Sequence, residues 1–423
     1  MRFLHAADLH LDSPLRGLSR YHGAPEETLR GATRRALINL VDEALKLQVD
    51  FLLLAGDLYD GDWPDYNTGL FFTAQMARLN HAGIPVVAIC GNHDAQSKIT
   101  KGLRLPPNVR MLSVEKPETV TFEEIQVAVH GQGFKSPAVW DDLTTGYPNA
   151  HPGAFNIGLL HTGLEGRPGH ASYAPCTLDG LKRLGYHYWA LGHIHQREIL
   201  CQDPYVVYPG NLQGRHARET GSKGATLVTV CDGVVETLQH LALDVVRWTQ
   251  IEIDITALRS TEEVLRAAER ALQEELEQLG GLTLAARILT TGHGPTHAEL
   301  IGHREYWVNE MRNLGVQMGQ ESVWVEKVQF RSNAALDLEK VASQHDAFSS
   351  LLDGLRDLSS DEEQLRILGE ELFSELERKL PLPWKNPETG GLSPASLVAV
   401  KEALGDVGHI LATHLSECGE NLR

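Results

Sequence analysis

Apolar and polar positions follow two registers through the first half of the chain. Short β-branched apolar runs, "RFLHAAD", "DFLLLAGD" and "IPVVAICGN", each break off in polar residues or glycine. Between them the apolar positions recur at helical spacing over residues 28–47 and 66–82. Runs of roughly four to eight apolar residues predict buried strands, and a period near 3.6 predicts amphipathic helices. Further strand-like runs follow at "NVRMLS", "IQVAVHG", "FNIGLLHT", "HYWALGH", "PYVVYPGN" and "GATLVTV". The alternation predicts an α/β unit over residues 1–245, with its functional loops at the strand ends.

After "LDVVRWTQIEIDI" the pattern turns acidic and helical. "STEEVLRAAERALQEELEQLGG" opens on a Ser cap, carries Glu in its first turn, places Leu265, Ala268, Leu272 and Leu276 on one face, and ends in Gly-Gly. With the strand-like "LTLAARILTTG", a helical 297–313 and the strand-like "SVWVEKVQF", it predicts a small α/β domain over 246–335. Residues 336–423 predict helices interrupted by the Pro- and Gly-rich "LPLPWKNPETGGLSP". There Leu397, Val400, Leu404, Val407, Leu411 and Leu415 form an apolar stripe, either packed on its own domain or offered to a partner helix.

Composition narrows the class. A chain of 423 residues, 42% hydrophobic and 22% charged, is expected to be soluble and to hold two or three domains. No apolar run reaches the roughly 18–20 residues of a membrane span. "MRFLHAADLH" meets Asp8 too early for the apolar region of a secretory signal, so a cytoplasmic location is expected. Five cysteines without a C-x-x-C pair argue against a disulfide framework or zinc ribbon and predict reduced, mostly buried thiols. Of the net charge of −18, residues 1–250 carry 22 Lys+Arg against 26 Asp+Glu, or −4, and residues 251–423 carry 16 against 30, or −14. Such acidity opposes general affinity for phosphates, so any nucleic acid must meet a local basic patch or a metal site.

Five strand ends concentrate the chemistry. They carry Asp8 and His10 in "ADLH", Asp57 in "AGDLYD", Asn92 and His93 in "GNHD", His161 in "GLLHTG", and His193 and His195 in "ALGHIH". Each alone reads as turn chemistry or a satisfied buried histidine. Together they would leave many polar groups at core edges by coincidence. Mixed carboxylate, amide and imidazole donors suit manganese, iron or zinc. Two such ions roughly 3.5–4 Å apart can share a carboxylate and make hydroxide available near neutral pH, which favours phosphoester hydrolysis.

The ordered set D-x-H, G-D-x-x-D, G-N-H-D, H-x-G and G-H-x-H resembles the calcineurin-like metallophosphoesterases. The resemblance implies a double β-sandwich flanked by helices. It implies that Asp8, His10 and His195 hold one ion, that Asn92, His161 and His193 hold the other, and that Asp57 bridges them. It makes His93 the general acid or charge stabiliser at the leaving oxygen, with Asp94 holding its imidazole. "FLHAADLHLDSPLRGL", "YPGNLQGRH" and the α/β domain after residue 245 are most similar to the DNA-repair exonuclease branch, the SbcD-like subunits, and within it to the YhaO group. That implies Mn²⁺-dependent hydrolysis of DNA, a capping domain, a homodimer and a coiled-coil ATPase partner of the SbcC-like type.

One position departs from the branch. Its members commonly have a histidine three residues after the bridging aspartate, where this chain has Asp60. A carboxylate there repels a phosphodiester unless a metal or an arginine intervenes, so a phosphodiesterase or phosphatase for a small nucleotide is the second reading. A non-catalytic interaction subunit, motivated by the acidic helices, is the third. Arg30, Arg34 and Arg35 on the first helix, with Arg16 and Arg20 before it, read as a nucleic-acid face or as a solvated face paired to Glu26 and Glu27. Arg215, His216 and Arg218, after the "YPGN" turn, are the candidate phosphate contacts. Tyr59 and Trp63 either stack on a base or pack beneath the loop.

Overall fold

The computed structural model describes residues 1–13, 25–60, 66–96, 104–164, 173–319, 321–334 and 346–379, with single helical positions at 397, 400, 401, 404 and 407. Leu411, Leu415 and Cys418 of the sequence reading lie outside them, as do Arg16, Arg20 and Trp63. The described chain forms two compact units.

The first unit comprises Met1–Thr249, Glu275–Ala286 and Gly315–Glu326. Its strands are β1 (Arg2–Ala6), β2 (Phe51–Ala55), β3 (Val86–Ile89), β4 (Val109–Met111), β5 (Glu118–Phe122), β6 (Val127–Gly131), β7 (Phe155–His161), β8 (Tyr188–Gly192), β9 (Glu198–Gln202), β10 (Tyr205–Tyr208), β11 (Gly224–Cys231) and β12 (Val234–Ala242). They build two six-stranded sheets, ordered β12-β11-β1-β2-β3-β4 and β5-β6-β7-β8-β10-β9. Neighbours from β1 through β4 run parallel, as do β6-β7, β7-β8 and β8-β10, while β11 lies antiparallel to β1.

Strand alternation explains the layering. Phe3, Phe51, Leu53, Val87 and Ile89 turn inward and share one core with Val129, Ile157, Leu159, Tyr188 and Val207 of the other sheet. The Phe3 and Phe51 rings stack at 4.9 Å. The opposite residues, Leu4, Leu52, Leu54, Val86 and Ala88, face helices α1 (Glu26–Leu47) and α2 (Asn67–His81), which bury Leu37, Leu40, Val41, Phe72 and Met76 against them. On the far side, Leu160, Trp189, Leu191 and Val206 pack with Leu181 and Tyr186. Leu181 belongs to α4 (Leu178–Arg183), which follows the one-turn α3 (Asn92–Gln96). This is the helix-flanked double β-sandwich that the motif resemblance implied.

The second unit draws on Gln250–Glu274, Arg287–Leu314 and residues from Lys327 onward, and several elements after residue 245 have residues assigned to each unit. Strands β13 (Val246–Asp254), β14 (Thr283–Thr291) and β16 (Val323–Phe330) form a three-stranded sheet in the order β13-β14-β16. A two-residue pair joins β15 (His293–Gly294) to β17 (Asn333–Ala334). Helix α5 (Thr261–Gln278) buries Val264, Ala268 and Leu272 at helical spacing. The helical stretch predicted at 297–313 is two helices, α6 (His297–Gly302) and α7 (Arg304–Gly319). Helices α8 (Asp346–Ser360) and α9 (Glu362–Lys379) follow. Of the apolar stripe, Val400 is buried, whereas Leu397 and Val407 are exposed. Among the described residues no helix is long and apolar enough to cross a membrane. The thiols are less buried than expected: Cys176 is enclosed, but Cys90 and Cys201 are half-buried and Cys231 is exposed.

Candidate metal centre

Parallel strands end on the same rim of their sheet, so the loops after β1, β2 and β3 converge, as do those after β7, β8 and β10. The backbone is forced there. Asp8 (φ 51°), His10 (φ 43°), Asp57 (φ 51°) and His193 (φ 100°) all occupy the left-handed region that side chains avoid. Strain of this kind persists only where surroundings impose it, and it clusters at functional sites. Two glycines make the approach of the loops feasible. A Cβ on Gly56 would lie 2.5 Å from His161 Nδ1, and one on Gly91 would lie 2.2 Å from Asp57 Oδ1.

Among the described residues, three sets bring their ligand atoms within 4.8 Å of one another: Asp8, His10 and His195; Asp8, Asp57 and His161; and His10, Asp60 and His93. Asp57 Oδ2 lies 3.8 Å from His10 Nε2 and 3.5 Å from His161 Nε2, so it is shared between the two sides. Asn92 Oδ1 is 3.0 Å from His161 Nε2. Asp8 accepts the His193 backbone N–H on both oxygens, at 3.1 and 3.0 Å, which joins the first sheet to the loop after β8.

The donor chemistry fits cations. His161 Nδ1 donates to Ala55 O at 2.9 Å, so its Nε2 is the atom that faces two acceptors, Asn92 Oδ1 and Asp57 Oδ2. His195 Nδ1 is held by Glu219 Oε1 at 2.7 Å, leaving its Nε2 against His10 Nε2 at 3.1 Å. The buried His10 Nδ1 has no hydrogen-bond partner. Acceptors that converge in this way need positive charge between them, which a proton on an imidazole or a metal ion supplies. Burial alone would lower His161, but the charge and hydrogen bond of Asp57 outweigh it and push it up to about 9. Burial alone would raise Asp57, yet the surrounding imidazoles, His161 foremost, hold its carboxyl far below the usual range.

His93 lies beside this cluster, its ring 4.9 Å from that of His10. Its imidazole is held by Asp60, with Nδ1 at 2.8 Å from Oδ1, and not by Asp94 as expected from the motif. Asp94 is buried and accepts backbone N–H groups from Gly91, Leu58 and Tyr59 at 2.9, 3.1 and 2.9 Å. It pins the loop after β3 to the loop after β2. The reason is geometric: α3 turns the Asp94 side chain back under the loop, while Asp60 comes from the neighbouring strand end. Asp60 also accepts from Ser13 Oγ at 2.5 Å and lies 3.4 Å from Arg215 Nη1. The arginine that a carboxylate here requires is therefore present.

The remaining candidates separate. His193 stands outside all three sets, with its ring 5.2 Å from that of His161. Arg215 reaches the centre, half-buried between Asp60 and Glu219. His216 is mostly exposed, 3.5 Å from Glu219, and Arg218 is exposed with its N–H on His216 Nδ1. On α1, Arg34 is locked onto Asp12 by Nε at 2.7 Å and Nη2 at 2.5 Å and lies over the Phe71 ring, so it belongs to the fold. Arg30 pairs with Glu26 at 3.5 Å, the solvated-face alternative. Tyr59 is buried against Phe72 and packs beneath its loop. Sequence reasoning missed Ser13 and Glu219. The only signal for Glu219 was an acid four residues after Arg215, in a loop already marked by "YPGN".

Comparison with known proteins gives concordant similarities. Residues 1–197 match the family described as calcineurin-like phosphoesterase, and residues 248–333 match the middle domain of metallophosphoesterase YhaO. An uncharacterized metallophosphoesterase YhaO of Bacillus subtilis is 35% identical over 299 residues, which cover 70% of this chain and 72% of that protein. The DNA double-strand break repair protein Mre11 of Sulfurisphaera tokodaii is 27% identical over 247 residues, 55% of this chain and 61% of that protein. Among solved structures, a dimetal phosphatase from Danio rerio aligns with a TM-score of 0.34 at 11% identity, covering 55% of this chain and 93% of that one.

Proposed function

Because the chain belongs to the calcineurin-like metallophosphoesterases, in their YhaO-like branch, we propose that it is a dinuclear-metal phosphodiesterase that hydrolyses DNA from an end. The observation that carries the metal part is Asp57 Oδ2, shared at 3.8 and 3.5 Å between the imidazoles of two adjoining ligand sets. Asp8, His10 and His195 would hold one ion; Asn92 and His161, with His193 beside them, the other; and Asp57 both. The mixed oxygen and nitrogen donors favour Mn²⁺, with Fe²⁺ or Zn²⁺ next. When bound, such ions supply Lewis-acid polarisation of the phosphoryl group and activation of water.

The chain's own residues supply the rest. His93 donates a proton to the leaving oxygen. Asp60 orients the His93 ring and, against burial, raises its pKa, so the protonated form persists toward neutral pH. Arg215 offers the guanidinium that suits a phosphate oxygen, and Ser13 fixes the second oxygen of Asp60.

DNA as substrate is supported by the similarity to the Mre11 protein and by Arg215 at the rim. The same reading extends to a homodimer and a coiled-coil ATPase partner. A second reading, hydrolysis of a small nucleotide ester, is favoured by the internal pairing of Arg34 and Arg30, which leaves α1 a poor track for a duplex. The test is Mn²⁺-dependent release of nucleotides from end-labelled single- and double-stranded DNA, with His93→Ala in parallel. Release that the variant loses supports the DNA reading. Intact DNA alongside cleavage of bis(p-nitrophenyl) phosphate transfers the support to the small ester.

A further inference from the structure

Behind the centre, the loop after β10 carries a buried carboxylate that the mechanism above does not use. Glu219 is 6% exposed and its two oxygens are divided between two tasks. Oε2 accepts from Asn211 Nδ2 at 2.9 Å and from the Arg215 backbone N–H at 2.7 Å, which closes the loop on itself. Oε1 accepts from His195 Nδ1 at 2.7 Å and from Arg215 Nη2 at 3.4 Å. The other arm of Arg215, Nη1, lies 3.4 Å from both Ser13 Oγ and Asp60 Oδ2. The guanidinium is thus suspended between two carboxylates, one of which also holds an imidazole of the centre. Lys223 Nζ donates to the His195 carbonyl at 2.8 Å, so the backbone of that histidine is fixed as well.

We infer that Glu219 is a positioning residue that couples the two halves of the site: it sets the tautomer of His195 and holds Arg215 beside it. This rests on the metal reading of the centre. A carboxylate on Nδ1 keeps the proton there, leaves Nε2 unprotonated toward His10, and makes the imidazole a better ligand. The same oxygen aims the arginine, so an ion on the His195 side and a phosphate at Arg215 are placed by one rigid group. A merely structural acid would need only Asn211 and the Arg215 N–H, which occupy Oε2. The second oxygen distinguishes the roles.

Glu219→Gln separates them, because the amide has one accepting end. Its –NH₂ must face either the His195 and Arg215 donors or the Asn211 and Arg215 N–H donors. Two readouts apply to the full chain. In ¹⁵N-histidine spectra of metal-free protein, wild type should show His195 as the Nδ1–H tautomer and the variant should lose that signature. In Mn²⁺ titration, wild type should bind two ions per chain. The variant should keep one at wild-type affinity and bind the other about 10–100-fold more weakly. KM for bis(p-nitrophenyl) phosphate should rise by a similar factor. A folded variant with an unchanged His195 tautomer and two wild-type Mn²⁺ sites overturns the inference. If Glu219→Gln does not fold, Glu219→Asp keeps the charge but withdraws the carboxylate by one methylene, and the same spectra and titration decide. Wild type that binds no Mn²⁺ refutes the metal reading, and wild type that binds two ions but leaves DNA intact refutes only the substrate.

Discussion

Replacing Asp60 by Asn keeps the size of the side chain and removes its charge. In the native site its carboxylate meets His93 Nδ1 at 2.8 Å, with the two side chains 16% and 35% exposed. Burial lowers His93, but the Asp60 hydrogen bond and the Asp57 charge more than reverse this. A hydrogen bond to a charged group contributes about 1.5–3 kcal/mol. Partial exposure of the ring screens the pair and argues for the low end. The neutral amide removes that support and should lower His93. The sign follows from the role: a proton donor works below its pKa, so activity falls as pH rises through it. Asp60→Asn should move the basic limb of kcat toward lower pH and spare activity on the acid side. The assay is kcat against pH with bis(p-nitrophenyl) phosphate at saturating Mn²⁺, with His93→Ala as reference. An active Asp60→Asn enzyme with an unmoved basic limb, or the same limb in His93→Ala, would refute His93 as the acid.

Asp94→Ala orphans three buried N–H groups, at about 1–3 kcal/mol each. It should cost about 3 kcal/mol or more in a thermal melt while leaving the basic limb of residual activity in place; a moved limb would restore Asp94 as the orienting group. Gly91→Ala puts a Cβ 2.2 Å from Asp57 Oδ1 and should weaken Mn²⁺ binding at least about tenfold in calorimetry, so wild-type affinity would contradict the shared-carboxylate geometry. Arg34→Ala should lower stability by about 1–2 kcal/mol through loss of the Asp12 pair and leave salt-dependent DNA retention unchanged. Weaker retention without destabilisation would make α1 a nucleic-acid face.

The sandwich and its rim were legible because strand ends carry their own punctuation: each apolar run stops at Asp8, Asp57, Asn92, His161 or His193. The hydrogen-bond partners were not legible. "GNHD" places Asp94 beside His93 in sequence, but a helical turn sends neighbouring side chains in different directions, and the true partner, Asp60, comes from another strand. Glu219 was hidden for the same reason, since its loop position shows neither its burial nor the His195 proton it accepts. The arginines of α1 looked like a patch because a sequence shows charge without its pairing, and Arg34 is paired to Asp12 across 22 positions. β5, β9 and β12 escaped because edge and outer strands are half-exposed and lack a continuous apolar run.

The pairing of β1 with β11 bears on how the protein is made. Arg2 lies opposite Thr229, so β1 gains one of its neighbours only after some two hundred intervening residues have been added. Until then β1 has a bare edge on that side, although Asp8, Asp57, His161 and His195 have already been delivered. A nascent chain therefore carries an exposed β-edge until β11 arrives. Truncation before β11 should yield aggregation rather than a smaller working domain.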